Sequence, residues 1–315
     1  MAIKGELIAI RDAYGSALEQ LGARNDRVMV LEADVGGSTK SCIFGAKYPH
    51  RYFNVGISEL NMTAMAAGFA SSGMIPFVNT FSVFLTTRGA DAIQSLAAYD
   101  KLNIKLAGTY CGLSDSYDGA SHHAVTDMAF VRAIPNMTLV SVCDAVQTAK
   151  AVEAIAEFEG PVYLRLSRAP APVIYDDTMD FRIGRGILLR DGTDVTIVAT
   201  GTMVQRALSA AELLQEQGIS AQVVDIHTIK PLDCELLLSC AKKTGAVVTA
   251  EEHSIYGGLG SAVAELLSQQ YPVRMGFVGV TEFAESGDYE ALMEKYHMTD
   301  KDIAERCIST IQTKV

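Results

Sequence analysis

One carboxylate and two aromatic side chains stand close together in the chain, between residues 54 and 84. Glu59 opens a helix-like run of small residues, and an apolar strand-like run then leads to Phe81 and Phe84, three residues apart. A carboxylate beside an aromatic wall suits a heteroaromatic cofactor whose ring nitrogen must be protonated. The alternative is structural: Glu59 would stabilise a helix N-terminus, where negative charge is favoured, and both phenylalanines would be core residues.

The segment EEHSIYGGLGS, residues 251–261, also has the composition of a reactive site. It contains two acids, His253 and a glycine-rich turn before a helix-like run. A phosphate can bind at such a helix N-terminus. Tight turns between a strand and a helix, however, use glycine for geometry alone. We therefore expect His253 to be structural, and the same holds for His227 and His50.

The composition describes a globular protein with an ample core. The chain has 315 residues, of which 49% are hydrophobic and 20% charged, and this length suits two domains of ordinary size. The mean hydropathy of +0.19 is high and indicates a buried interface. The net charge of −11 argues against nucleic acid as a partner. It does not contradict a phosphorylated substrate, because a few local cations can bind phosphate in an acidic protein.

The sequence predicts neither a membrane segment nor disulfide bonds. It has no uninterrupted apolar run of about 18 residues, the length that a spanning helix needs. Glu6, Arg11 and Asp12 interrupt the first apolar stretch, so we expect no signal peptide and a cytoplasmic protein. The 6 cysteines form no CxxC pair and have no zinc-ligand spacing, which favours reduced thiols.

The elements that must position these residues alternate between strands and helices. The first half predicts strands at 27–31, 75–80, 104–109, 138–142 and 161–166, and helices at 3–21, 59–72, 87–99 and 145–157. The second half predicts strands at 195–200, 222–225, 246–250 and 273–278, and helices at 205–217 and 299–311. This alternation predicts an α/β fold of two domains, each a mainly parallel sheet flanked by helices. Prolines and acids in 169–186 favour a linker between domains 1–168 and 187–315.

The wording of nine motifs, in order along nearly the whole chain, resembles one family. The motifs are GISELNM, AAGFA, NTFSVF, DGASHH, IPNM, PVYLRLSR, DGTDVTIVATG, VVDIHTIKPLD and EEHSIYGGLGSAV. The first six resemble the pyrimidine-binding domain of thiamine-diphosphate enzymes, transketolase in particular, and the last three resemble the transketolase C-terminal domain. Each motif is weak alone, but their order and spacing are specific.

The resemblance implies roles for the acid and the aromatic residues. Glu59 matches the glutamate that hydrogen-bonds N1′ of the aminopyrimidine and favours the tautomer that removes the thiazolium C2 proton. Phe84 matches the aromatic residue that stacks on the pyrimidine, and Phe81 its neighbour. Thr87 stands where transketolase usually has a third aromatic residue, which puts the shape of the pocket in question. Asp34 is implied near the cofactor or a dimer interface.

The resemblance also implies sugar-binding residues. Asp118 matches an aspartate that binds a substrate hydroxyl, and His122 a histidine at the reacting carbonyl end of the sugar; the adjacent His123 is expected to be structural. Tyr110 stands where the family commonly has a further histidine. Because tyrosine donates a hydrogen bond but is no cation near neutral pH, the sugars can differ from the standard ones.

Three residues match the phosphate-binding positions of the family. Arg168 matches the arginine of the LSR segment, and Ser38 and Arg11 match the serine and arginine of its phosphate pocket. Arginine offers a planar fork of donors for phosphate oxygens. For Arg11, a solvated position on the first helix is an equally good interpretation.

The chain has no GDG motif, which the family uses with a later asparagine to hold a divalent metal and the cofactor diphosphate. The resemblance therefore implies the C-terminal subunit of a split transketolase. Such a subunit transfers a two-carbon ketol unit from a ketose phosphate to an aldose, using thiamine diphosphate at the junction with an N-terminal subunit. That partner would hold Mg²⁺, Ca²⁺ or Mn²⁺, this chain would supply no metal ligand, and the assembly would be an α2β2 heterotetramer.

Three alternatives stay open at this point. The chain could be the beta subunit of a 2-oxoacid dehydrogenase, which has similar size and also needs a partner. It could be a relative of deoxyxylulose-phosphate synthase, which shares a DGxxH segment but is normally one long chain. It could also be a regulatory module with a degenerate site, although five site residues from Glu59 to His122 are retained.

Overall fold

The structure is a computed structural model that describes residues 4–312, and its strands form two large sheets and one two-stranded sheet. Strands β1 to β7 are Leu7–Ala9, Val28–Glu32, Tyr52–Asn54, Ile75–Phe81, Lys105–Thr109, Thr138–Ser141 and Val162–Leu166. Strands β8 to β14 are Pro170–Pro172, Ile187–Arg190, Val195–Ala199, Ala221–Asp225, Thr228–Lys230, Ala246–Ser254 and Arg274–Val280.

Helices lie between most of these strands. Helices α1 to α7 are Ile10–Arg24, Gly36–Thr39, Cys42–Lys47, Glu59–Ser71, Ser82–Arg88, Ala90–Ala92 and Asp127–Ala133. Helices α8 to α13 are Ala145–Glu157, Met203–Glu216, Cys234–Thr244, Leu259–Gln270, Tyr289–Lys295 and Asp300–Gln312. None of the helices within residues 4–312 combines the length and apolar character that a membrane crossing requires.

The first large sheet has seven strands in the order β12-β6-β7-β5-β4-β2-β3. All neighbours pair in parallel except β12 with β6. Every residue of β2, β4, β5 and β7 is buried. Strands buried on both faces are typical of a parallel sheet between two helical layers, so this part of the predicted α/β fold is confirmed.

The second large sheet has five strands in the order β14-β13-β10-β11-β9. Its strands are parallel except β9, which pairs antiparallel with β11. Helix α10 ends at Thr244 and is followed by Gly245, whose φ of 67° is the left-handed geometry that terminates helices. The predicted mainly parallel sheets flanked by helices are thus present in both halves.

The junction between the halves is more interwoven than the sequence predicts. Strand β8 lies inside the predicted linker and pairs antiparallel with β1. Strand β12 follows three strands of the second sheet in the chain, β9, β10 and β11, yet it pairs with β6 in the first sheet. The division into 1–168, 169–186 and 187–315 stays a prediction.

Two predicted helices have different bounds. The chain enters α1 at Ile10 after β1, whereas the prediction placed a helix from residue 3, which lies outside the described residues. The predicted helix 87–99 is instead α5, the short α6 and a π-helical turn, Ile93–Ala98. As a result, Arg88 is the last residue of α5, whereas the prediction placed it second in a helix.

Candidate functional site

The candidate residues of the first half gather where its parallel strands end. Phe81 is the last residue of β4, Tyr110 follows β5, and Arg168 comes two residues after β7. Asp34 follows β2 in the same way. In open α/β sheets, ligands bind in the crevice outside the carboxyl ends of the strands. The sheet therefore places these side chains at the edge where a site is expected.

Four rings form a continuous group, which we name the aromatic wall: Phe81, Phe84, Tyr110 and His122. Phe81 stacks on Tyr110 with centroids 4.2 Å apart and on Phe84 with centroids 5.7 Å apart. His122 meets Phe84 edge to face at 5.1 Å. Phe81 and Tyr110 are buried, while Phe84 and His122 are half-buried. The wall thus presents a partly open aromatic surface with one imidazole at its rim.

Arg88 links Glu59 to the aromatic wall. Glu59 is the first residue of α4 and is only 4% exposed. Nη1 of Arg88 donates to Oε1 of Glu59 at 3.2 Å, and the guanidinium carbon lies 3.9 Å from the ring centroid of Phe84. The sequence prediction missed Arg88. Its spacing of four residues from Phe84, which places both on one helix face, was the available signal.

Arg11 is half-buried and contacts other candidate residues. Its Nη1 donates to the backbone oxygen of Ser38 at 3.3 Å and to the hydroxyl of Tyr110. The guanidinium carbons of Arg11 and Arg168 each lie 5.3 Å from the ring centroid of Tyr110. The structure brings Arg11, Ser38, Tyr110 and Arg168 together, although Ser38 contacts Arg11 through its backbone rather than its hydroxyl.

A second residue that the prediction missed, Asp115, links Arg168 to the DGASHH segment. Nη1 of Arg168 donates to Oδ1 of Asp115 at 3.1 Å, and Asp115 is completely buried. One side-chain oxygen or nitrogen from each of Asp115, Asp118 and His122 lies within 4.8 Å of the others. Burial, and then the nearby Asp118 carboxylate, raises the pKa of Asp115 to about 7, while Arg168 opposes the shift. Its place three residues before Asp118 was the only signal in the sequence.

The cluster of Asp115, Asp118 and His122 has the atom types of a cation site. The guanidinium of Arg168, at 3.1 Å from Asp115, already supplies a positive charge there. A divalent cation would have to share the buried carboxylate with that arginine, which is unfavourable. The arrangement instead suits a polar substrate with several hydroxyl groups.

Asp34 lies on the Glu59 side of the sheet edge. It is exposed, has a φ of 61°, and its Oδ1 accepts from Nδ2 of Asn54 at 2.9 Å. Asn54 ends β3, and the following loop leads to Glu59. Asp34 therefore contacts the segment that positions Glu59.

Four histidines that the sequence predicts to be structural, His50, His123, His227 and His253, lie outside the aromatic wall, and their role stays a prediction. His123 is buried, and burial lowers its pKa. His227 stacks on Phe181 with centroids 4.2 Å apart. Burial lowers the pKa values of His227 and His253 to about 4, so both rings are neutral near pH 7. His50 is exposed on a surface turn.

The glycine-rich segment of the second half has no free helix N-terminus. The carboxylate of Glu251 accepts from the backbone N–H groups of Leu259 and Gly260, both at 2.7 Å. Glu252 accepts from the backbone N–H of Leu113 at 2.7 Å, which ties this segment to the first sheet. The carboxylate of Glu251 thus binds the helix N-terminus at which the sequence analysis considered a phosphate.

Comparisons with known proteins agree along the whole chain. The family model for the transketolase pyrimidine-binding domain matches residues 6–172, and the model for the transketolase C-terminal domain matches residues 184–303. A putative transketolase C-terminal section from Methanocaldococcus jannaschii is 41% identical, with 98% of each chain covered. The 6-deoxy-6-sulfo-D-fructose transketolase subunit SqwH from Clostridium sp. (strain MSTE9) is 42% identical, covering 93% of this chain and 92% of that protein.

Longer relatives and solved structures give the same picture. Transketolase from Rattus norvegicus is 37% identical over 98% of this chain, which spans 50% of that protein. A solved structure described as a split gene transketolase, inactive beta4 tetramer, has a TM-score of 0.91 and 45% identity, covering 98% of this chain and 99% of that one.

Proposed function

The chain belongs to the transketolase family, and on that premise we propose that it supplies half of a two-chain active site. In this proposal a two-carbon ketol unit passes from a ketose phosphate to an aldose, with thiamine diphosphate bound between this chain and an N-terminal subunit. The observation that supports it most directly is the buried carboxylate of Glu59 beside the Phe84 ring, bridged by a planar cationic group 3.2 Å from the carboxylate.

The residues of the site fit an aminopyrimidine ring. The space between Glu59 and Phe84 already accepts a flat nitrogen-rich group, the guanidinium of Arg88. When bound, the cofactor would supply a carbanion nucleophile and an electron sink. Glu59 would hold a proton at the ring nitrogen, and Phe84, supported by Phe81, would orient the ring by stacking, which contributes about 0.5–1.5 kcal/mol beyond area burial.

The remaining residues of the aromatic wall and its neighbours would bind the sugars. Asp118 and His122 would accept and donate hydrogen bonds at the hydroxyl and carbonyl groups, and Tyr110 would donate where the family usually has histidine. Arg11 and Arg168 would bind an anionic group at the far end of the sugar. The SqwH relative is named for a sulfonated sugar, and both phosphate and sulfonate present oxygens that arginine can bind.

The partner would complete what this chain lacks. We propose an N-terminal subunit that holds the diphosphate and a divalent cation such as Mg²⁺, an α2β2 assembly, and a cytoplasmic location. This chain spans half of the rat transketolase, which is consistent with the other half residing on a second chain. The related beta4 tetramer is described as inactive, and we propose that the present chain is likewise inactive alone.

The alternatives have less support. The family models and the relatives named above are transketolases, which disfavours the 2-oxoacid dehydrogenase and deoxyxylulose-phosphate-synthase readings. A degenerate regulatory module would not need Glu59, the aromatic wall and two arginines to stay in contact.

The test is Glu59→Gln in the complex assembled with the N-terminal subunit. Glutamine keeps the shape but cannot carry the proton that the ring nitrogen needs. We expect turnover to fall by at least about a hundredfold, as is typical for loss of acid–base catalysis, while calorimetry still detects thiamine diphosphate binding. Glu153→Gln, at an exposed glutamate paired with Arg24, serves as the control. Near-normal turnover of Glu59→Gln would refute the assignment.

A further inference from the structure

The planar guanidinium of Arg88 makes two different contacts, one with a carboxylate and one with an aromatic ring. Its guanidinium donates to the buried carboxylate of Glu59 at 3.2 Å and covers the ring of Phe84 at 3.9 Å. The side chain of Arg88 is 49% exposed, whereas that of Glu59 is 4% exposed. The guanidinium is therefore held between a buried acid and an aromatic ring, on a side chain that is half exposed.

The guanidinium resembles an aminopyrimidine in the features that matter for binding. Both are flat, delocalised and rich in nitrogen, with N–H donors in the plane and faces that stack on aromatic rings. A ligand that hydrogen-bonds Glu59 and stacks on Phe84 needs the two contacts that Arg88 already makes. Two groups cannot make both contacts at once.

The stacking surface of Phe84 is otherwise limited. Phe81 is stacked against Phe84 at 5.7 Å, and His122 meets it edge to face at 5.1 Å. The guanidinium of Arg88 lies over the Phe84 ring, closer to its centroid than the ring of Phe81 does. A heteroaromatic ring that stacks on Phe84 must displace Arg88.

We propose that Arg88 is a placeholder for the aminopyrimidine of the cofactor and keeps the contacts with Glu59 and Phe84 until the cofactor binds. It neutralises a buried carboxylate that would otherwise lack a partner, which is unfavourable in a protein interior. Because Arg88 is the last residue of α5 and is followed by Gly89, its side chain can leave for solvent without disturbing the core. The inference rests on the proposed function, since it names the residue that the cofactor displaces.

The test measures cofactor affinity rather than turnover. Thiamine diphosphate with Mg²⁺ is titrated by calorimetry into the complex of this chain with its N-terminal subunit, for wild type, Arg88→Ala and Arg88→Gln. Removing the competitor should lower the Kd at least about threefold in Arg88→Ala. Arg88→Gln keeps an N–H donor group but no charge, so its Kd should lie between those of wild type and Arg88→Ala. Arg24→Ala, at an exposed arginine paired with Glu153, should leave the Kd unchanged.

A second readout uses thermal unfolding of the same complexes. Arg88→Ala should lower the Tm of the cofactor-free complex, because Glu59 loses its partner, and should leave the Tm of the loaded complex close to that of wild type. If wild type binds the cofactor and Arg88→Ala binds it equally or more weakly, the placeholder is refuted and the proposed function stands. If the wild-type complex binds no cofactor, both proposals fail.

Discussion

Asp115 sets how much positive charge the candidate sugar site presents. Its buried carboxyl accepts from Arg168 at 3.1 Å, and its pKa is raised to about 7. Below that pH the carboxyl is neutral and Arg168 keeps its full charge for a substrate anion. Above it the carboxylate offsets the arginine. We therefore expect Asp115 to make the affinity of the proposed site for an anionic sugar depend on pH.

The first prediction concerns Asp115→Asn in the assembled enzyme. The asparagine oxygen can still accept from Arg168, so the orientation of the guanidinium is kept while the negative charge is removed. We expect the KM for a phosphorylated aldose at pH 8 to fall several-fold relative to wild type. Between pH 6 and 8 the KM of wild type should rise as Asp115 ionises, and the variant should lack that increment. Steady-state kinetics across this range measure both.

The control for this prediction is Asp300→Asn, which changes an acid outside the site, on the surface helix α13. It should leave the KM and its pH profile unchanged. Ionisation of the substrate phosphate affects every variant equally, so the difference between profiles isolates Asp115. Parallel profiles for wild type and Asp115→Asn would contradict the coupling.

Site residues could be predicted from the sequence when a short segment carried the signal. Glu59, Phe81 and Phe84 lie within one stretch; Arg88 links Glu59 to Phe84, and Phe81 stacks on Phe84. Arg88 and Asp115 were missed because their roles depend on partners far away in sequence, such as Arg168, 53 residues from Asp115. No local pattern reports such a contact.

At the scale of elements, Glu251 fixes how β13 leads into α11. Its two oxygens accept from the first backbone N–H groups of the helix, at 2.7 Å each, which is the usual way to satisfy helix-terminal donors. Burial outweighs these hydrogen bonds and raises the pKa of Glu251 to about 7. The unfolded chain, where the pKa is ordinary, loses this proton first as pH rises.

The second prediction follows from this shift. A carboxyl whose pKa is higher in the folded chain binds more protons there, so the free energy of unfolding falls as pH rises from about 4.5 to about 7. Glu251→Gln does not titrate and escapes this loss. We expect the variant to gain stability relative to wild type between pH 5 and 8, measured by urea unfolding of the chain at both pH values. A constant difference between the two proteins would contradict it.

The third prediction concerns the turn after β5. Gly112 has a φ of 63°, and a Cβ added there would lie 2.4 Å from a carboxylate oxygen of Glu252. Gly112→Ala should therefore destabilise the chain by about 1–3 kcal/mol, through backbone strain and the displaced Glu252. Urea unfolding measures the loss.

Gly68→Ala is the matched control for this substitution. Gly68 lies within α4, and an added Cβ there meets no atom within 4 Å. Alanine in an exposed helix position should stabilise the chain by up to about 1 kcal/mol. Equal effects at the two positions would show that the contact with Glu252 is unimportant.

Most elements could be predicted because their apolar runs are local. Helix α8 matches its predicted bounds, 145–157, and β4, β5 and β7 differ from theirs by one residue at an end. Five strands of three or four residues were missed, because so short a run has no periodic pattern: β1, β3, β8, β9 and β12. Their pairing depends on the sheet edge that they meet.

At the scale of the whole molecule, we expect a contact between copies at two exposed apolar residues beside the site. Ile57 is 73% exposed and Leu60 is 47% exposed, and they flank Glu59 in sequence. Exposed apolar patches commonly mark interaction surfaces. The proposed α2β2 assembly needs such a surface on this chain.

The fourth prediction is that Ile57→Asp weakens self-association of the isolated chain. A carboxylate buried in an apolar contact is costly, so sedimentation velocity should report a lower mass than for wild type at the same concentration. Leu188→Asp, at a residue 43% exposed on β9, is the control and should keep the wild-type mass. An unchanged mass for Ile57→Asp would place the contact elsewhere.

The overall architecture could be predicted from the sequence, but the contacts at the junction of the two halves could not. Strand–helix alternation predicted two mainly parallel sheets, and both are present. The hydrogen bond from Leu113 to Glu252 and the pairing of β12 with β6 join segments that no local pattern connects. These contacts depend on how the two sheets pack together.

The pairing of β12 with β6 has a consequence for biosynthesis. The ribosome makes β6 long before it makes β12, so the nascent first sheet carries an unpaired edge until Thr228 and Lys230 emerge and pair with Val140 and Leu139. Open edges invite pairing with other chains, and incomplete folds are prone to aggregate. We therefore expect nascent first halves on the same polysome to be prone to aggregate through this edge until the second half has been translated and β12 pairs with β6.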